Sequence, residues 1–101
     1  MSTFGKRLKS ARQLAGLSQE QLGVRAGLEE ESASTRMNRY EKGVREPAVE
    51  IVGRIAKVLD VPVSYFYSDD DDEASLLLAF HRMSAKQRSA LLLQAFASCR
   101  D

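Results

Sequence analysis

Cysteine is almost absent from this chain: Cys99 is the only one in 101 residues. An internal disulfide and a zinc site of the finger type are thereby excluded, and a reduced, cytoplasmic setting is the simplest expectation. Histidine is as scarce. His81 has no Cys, carboxylate or second His at a ligand spacing around it, so no metal is expected and His81 reads as an exposed or interfacial polar residue. No apolar run approaches the ~18 to 20 residues that cross a bilayer, and the N-terminus lacks the apolar segment of a signal peptide, which argues against a membrane. Also missing are a glycine-rich phosphate loop and a nucleophile with a suitable base, so no catalytic residue and no cofactor is expected. There is no internal repeat, and the one low-complexity tract is the aspartate run Asp69 to Asp72.

What is present suits one small domain with an extension. The 44% hydrophobic content is ordinary for a globular chain. A core of this size supplies only a few kcal/mol beyond what folding needs, so association into a dimer is a natural supplement. The formal charge of +1 conceals a polarity. Residues 1–67 carry eleven Lys or Arg against eight Asp or Glu, whereas residues 68–101 carry four against six. The basic half also clusters its charge, because Arg36, Arg39, Lys42 and Arg45 recur at every third position with Glu41 as the one acid among them. Such a row is either a solvated face or the footprint of a nucleic acid, and composition leaves both open.

The periodicity is helical. Phe4, Leu8, Ala11 and Leu14 recur at spacings of three and four, marking an amphipathic helix that ends near Ala15 and Gly16. In "LSQEQLGVRAG", Ser18 and Gln21 fit a capping box and Leu17 and Leu22 fit a hydrophobic staple, so a second helix starts at Ser18 and stops at Gly27. Gly23 in its middle indicates close approach of another backbone. Ser32 or Ser34 can cap a third helix reaching Lys42, with Glu29, Glu30 and Glu31 ahead of it suiting the positive end of its dipole. On this polar helix Met37 and Tyr40 are the large apolar side chains, expected in the core. Pro47 fits the first turn of a fourth helix with the stripe Val49, Val52, Ile55, Ala56 and Leu59, and "DVPVSYFY" then turns aromatics back toward the core. "SDDDDE" reads as a solvated linker and helix cap spanning 68–73. Beyond it, Leu76, Leu77, Leu78, Phe80 and Met83 mark a fifth helix. A second capping box at Ser84 and Gln87 opens a sixth, with Leu91, Leu92, Leu93, Ala95 and Phe96.

A capped short helix, a turn and a polar helix closed by glycine outline a helix-turn-helix. From about Phe4 to Phe66, "LSQEQLGVRAG", "RMNRYEKGVREP" and "IAKVLDVPVSYFY" follow one another in an order that resembles the lambda-repressor/Cro-like (XRE-type) DNA-binding domains. The resemblance implies an all-α fold: a DNA-binding domain of about five short helices over 1–67, followed by a two-helix extension over 74–101. It also implies that the third helix enters the major groove, with Ser34, Thr35, Arg36, Asn38 and Arg39 at or near base edges. The chemistry agrees, since Arg suits guanine, Asn suits adenine, and Ser or Thr suits several bases. Gln19, Lys42 and Arg45 fall where the family meets phosphates, although Gln19 also fits a plain surface position in a capped first turn. Arg12 and Glu41 match a structural ion pair of the family. The sequence departs from the pattern by about four extra residues between Gly27 and Ser34, which either lengthen the third helix backward or loosen the turn.

The two C-terminal helices are too apolar to be solvated all round. Leu76, Leu77, Phe80, Leu91, Leu92 and Phe96 are the expected contacts of a two-fold interface, an intramolecular cap being the alternative. Cys99 is expected to be an inert thiol near a frayed end. Two functions of different class follow. One is a dimeric regulator, most simply a repressor, that reads a palindromic double-stranded operator. The other is a protein-interaction module, antitoxin-like or antagonist-binding, in which DNA binding is secondary. With no room for a separate effector domain, control by concentration, proteolysis or a protein partner is expected ahead of a small ligand.

Overall fold

The computed structural model describes residues 2–100, and Met1 and Asp101, the outer ends of the two expected segments, lie outside that description. Over the described residues the chain forms six α-helices, one 3-10 helix and no strand. The first helix, α1 (Thr3–Leu14), starts where the Ser2 hydroxyl accepts from the Gly5 amide, and it buries Gly5, Leu8 and Ala11. In α2 (Gln19–Arg25) both halves of the capping box form, Gln21 N to Ser18 Oγ at 3.0 Å and Ser18 N to Gln21 Oε1 at 2.9 Å.

The next helix, α3 (Glu30–Lys42), starts earlier than its serines suggested: Glu29 is the capping residue, and Ser32 and Ser34 lie inside the helix. Packing explains the shift. Leu28 and Ala33 are both buried, and Gly23 of α2 admits Ala33 so closely that a Cβ on the glycine would lie 2.8 Å from the Ala33 Cβ. Residues 29–32 between those anchors wind into an added turn, where Glu30 and Glu31 suit the positive helix end. Gly43 closes α3 in the left-handed region with φ of 75°.

Pro47 stands just outside the fourth helix, α4 (Val49–Leu59), whose first turn is instead organised by the Ala48 carbonyl accepting from Ile51 and Val52. Its Val52, Ile55, Ala56 and Leu59 enter the core. A 3-10 helix (Val63–Tyr67) then inserts Tyr65 and Phe66, with Phe66 against Phe4 at 5.1 Å between ring centroids. Tyr67 stays outside, beside Phe4.

The acidic residues Asp69 to Glu73 are all exposed, yet the stretch is tied to α1. Arg7 is only 7% exposed; its Nε donates to the Ser68 carbonyl at 2.9 Å, and a terminal nitrogen donates to that of Asp69 at 3.3 Å. Its other terminal nitrogen lies 3.0 Å from Asp71, and the Thr3 hydroxyl donates to Asp69. The Arg7 hydrogen bond, then the charge of Lys6, hold the Asp71 carboxyl below the usual aspartate range. Asp70 accepts from the Glu73 amide at 2.8 Å and starts α5 (Asp71–Arg82). At the other end of α5, Arg82 donates to the Asp60 carbonyl at 3.2 Å and His81 Nε2 lies 3.2 Å from the Asp60 carboxylate. The last helix, α6 (Ala85–Ser98), opens with the second capping box and buries none of its residues.

The two mid-helix glycines give opposite expectations. Gly23→Ala forces Ala33 away and should destabilise the domain by about 1 to 3 kcal/mol. Gly53→Ala, in α4 with open space around the new methyl, should stabilise it by about 0.5 to 1 kcal/mol. Thermal or urea unfolding of the two variants checks both signs.

Candidate nucleic-acid interface

Helix α3 has two faces. Ala33, Met37, Tyr40 and Glu41 point into the domain. With 3.6 residues per turn, the opposite side carries Thr35, Arg39 and Lys42, all exposed, with half-buried Asn38 beside them. Ser34 is exposed next to this stripe, and Arg36 is half-buried on its other margin. The five residues expected at base edges therefore spread over three rows of the helix.

A recess flanks the stripe on each side. One, of about 320 Å³, gathers Arg36, Arg39 and Arg45 with Tyr40, Glu46 and Ile51. There Arg36 donates to the Tyr40 hydroxyl at 3.0 Å, which aims its guanidinium into the recess. The other, of about 400 Å³, brings Gln19 and Lys42 together with Lys9, Arg12, Ser18, Asn38 and Glu41. Lys9 was not singled out in the sequence, where it is one of several cations on the first helix. Only the packing of α1 across the end of α3 brings it beside Lys42.

The second recess rests on a polar network. Arg12 Nε lies 2.6 Å from Glu41 Oε2, and a terminal nitrogen of Arg12 donates to Glu41 Oε1 at 3.1 Å. Both side chains are largely buried, with 12% and 3% exposed. Arg12 also donates to the Leu17 carbonyl at 2.9 Å. Gln19 turns its amide nitrogen inward, donating to Glu41 Oε1 at 3.2 Å and to Asn38 Oδ1 at 3.1 Å. The Asn38 NH₂ makes no hydrogen bond among the described residues and stays available as a donor.

The apolar residues of the extension divide between two environments. Leu77, Phe80 and Leu91 are half-buried, and Arg88 fixes the junction of the last two helices by donating to the carbonyls of Phe80 at 2.8 Å and His81 at 2.7 Å. Leu76, Leu92 and Phe96 are exposed, Phe96 by 70%. Leu93, which the sequence reading left out of its contact set, is 76% exposed and stands beside Phe96 at a spacing of three. Among the described residues no group of His, Cys, Asp or Glu is arranged to hold a metal ion, and no helix is long and apolar enough to cross a membrane.

Comparison with known proteins bears on the family and the fold. The profile of a family described as helix-turn-helix matches residues 8–66. Proteins of Sinorhizobium medicae and Rhizobium meliloti, both described as uncharacterized HTH-type transcriptional regulators, are each 34% identical over 65 residues. That stretch is 64% of this chain and 44% of theirs, so the chain spans less than half of the length of these relatives. The crystal structure of the transcriptional regulator BswR superposes with a TM-score of 0.87 at 39% identity, covering 92% of both chains. The complex of the SinR and SinI proteins shares the fold, with a TM-score of 0.68 at 23% identity over 96% of this chain and 99% of that one.

The network makes Arg12 and Glu41 structural. Arg12→Ala or Glu41→Ala alone leaves a buried charge without its partner and should destabilise the domain by about 3 to 5 kcal/mol. Arg39→Ala, at an exposed position, should change stability by less than about 0.5 kcal/mol. Urea titration of the three variants distinguishes these roles.

Proposed function

The chain belongs to the XRE-type helix-turn-helix family of DNA-binding transcriptional regulators, and from that premise we propose that it is a dimeric repressor reading a palindromic operator through the major groove. The observation that carries the reading is the polar stripe of α3 with a cationic recess on each side. A helix lying in a major groove has a phosphate strand along both of its flanks. Arg36 and Arg45 would meet one strand, and Lys9 and Lys42 the other, fixing register without reading sequence. Ser34, Thr35 and Arg39 would then face base edges. Asn38, with its oxygen held by Gln19, would donate to base acceptors such as guanine O6 or N7 and thymine O4. Gln19 serves this reading as the residue that positions Asn38, and its own phosphate contact would require its amide to turn outward.

Dimerisation is inferred from α6. A helix of 14 residues, none of them fully buried, is marginal in water on its own. Its Leu92, Leu93 and Phe96 form an exposed apolar surface on this helix, and Leu76 is exposed on α5. A second copy of the chain covers that surface and presents two α3 helices about 34 Å apart, one helical turn of DNA. The same exposed surface favours a second reading, a protein-interaction module in which the extension grips a different protein. The chain that shares the fold in the SinR and SinI structure is part of a complex of two proteins. A repressor of this kind acts in the cytoplasm, blocking polymerase by occupancy.

Selection of bound sequences from a random DNA pool at near-physiological salt should enrich a palindrome with half-sites one turn apart. Its affinity should fall steeply with salt and fall again in Arg39→Ala. Failure of the folded chain to enrich any sequence would favour the interaction module, whose apolar contacts respond little to salt. Leu93→Asp, at a position outside the domain core, should leave the unfolding of the domain unchanged while sedimentation shifts from dimer to monomer. An unchanged dimer would place the two-fold contact elsewhere.

A further inference from the structure

The added turn at the start of α3 puts a carboxylate in the path of the reading stripe. Glu31, Thr35, Asn38 and Lys42 follow one another at intervals of four, three and four residues, so Glu31 stands one turn ahead of Thr35 on the same side of the helix. Ser34, three residues on, borders the same ridge. Glu31 is exposed, and no hydrogen bond or ion pair among the described residues engages its carboxylate. Glu30 lies a full 100° away, off the stripe. In a helix-turn-helix the N-terminal part of the recognition helix approaches the base edges. In this chain that part is the added turn, and the side chain that continues the stripe there is an acceptor with no donor capacity.

We propose that Glu31 is a specificity determinant that accepts a hydrogen bond from the exocyclic amino group of a cytosine in the major groove. The inference rests on the DNA-reading function proposed above. Each base pair offers the groove a different pattern of donors and acceptors. A carboxylate fits the N4 amino group of cytosine, whereas guanine N7 and O6 or thymine O4 repel it. The phosphates around the groove repel it too, so Glu31 weakens binding wherever no amino group compensates. A carboxylate at this point therefore acts twice: it favours one base and penalises DNA in general. The cations of the two recesses supply the sequence-independent attraction that the penalty offsets. A second role for the side chain, favourable interaction with the helix dipole, belongs equally to Glu30 in the same turn. Comparing the two residues separates reading from helix stabilisation.

The test is sequence selection from a random duplex pool, run in parallel on the wild-type chain, Glu31→Gln, Glu31→Ala, Glu30→Gln and Arg39→Ala. For the wild type, a cytosine is expected at one position toward the outer end of each half-site. Glu31→Gln should bind that operator about tenfold more weakly, a loss in the range of a single base contact, and should shift the position toward adenine, which glutamine reads. Glu31→Ala should lose preference at that position alone and bind unrelated DNA more tightly, while Glu30→Gln should keep the wild-type preference. A Glu31→Gln profile identical to the wild type, or one changed uniformly at every position, would overturn the proposal and leave Glu31 as a helix-start residue or a general repellent. If the wild type enriches nothing, or Arg39→Ala matches the wild type at every position, the DNA-reading function itself falls, and the assignment of Glu31 falls with it.

Discussion

The reading head depends on how Arg12 of α1 is held against Glu41 at the end of α3. Moving both charges out of water is costly, and their mutual attraction compensates only when the remaining hydrogen-bonding capacity is also used. Here it is used: Arg12 also reaches the Leu17 carbonyl, and Glu41 also receives the Gln19 amide. One network thus joins α1, the loop after it, the start of α2 and the end of α3. Close packing reinforces it, because a side chain on Gly5 would collide with the Glu41 backbone carbonyl. The exposed side of α3 is consequently presented by a helix locked at both ends, by Gly23 against Ala33 near its start and by Arg12 with Glu41 near its finish. Preorganisation of this kind reduces the ordering that a groove would otherwise demand of the helix on binding.

The parts of this arrangement that were legible in the sequence are those set by local chemistry. Both capping boxes, Ser18 with Gln21 and Ser84 with Gln87, form as their spacing indicates, because a cap involves four consecutive residues and little else. The close approach at Gly23 was legible for a related reason, since a glycine inside a helix is unfavourable unless something needs the space. The start of α3 was not. Two serines, Ser32 and Ser34, each offered a cap with three glutamates ahead of them, and the actual start was set by the burial of Leu28 and Ala33, a tertiary event. Arg7 was likewise opaque. It sits among Lys6, Lys9 and Arg12 in the sequence, and nothing local distinguishes the cation that folds inward to carbonyls sixty-one residues away. The candidate DNA contacts fall between these cases: a family pattern could indicate α3 and its basic row, but the separation of that row into two recesses requires α1 and α4 to be in place.

Apolar packing and polar clamps divide the work between the two parts of the chain. The core of the helix-turn-helix is filled by Leu8, Leu22, Met37, Ile55 and Phe66, each almost wholly buried. The extension contributes little to that core beyond Ala74, with Leu78 packed at its edge. What orients it is hydrogen bonding at the two ends of α5: Arg7 to the backbone of Ser68 and Asp69, and Arg82 with His81 to Asp60. Hydrogen bonds are directional where apolar contacts are not, so a few of them can set an angle that a sparse apolar contact leaves loose. For a dimer formed through α6, that angle decides the distance and rotation between two reading heads. The operator spacing would then be encoded in residues that touch neither the DNA nor the partner. Arg7 would be central to such an arrangement, because one buried guanidinium joins the first helix of the domain to the first turn of the extension.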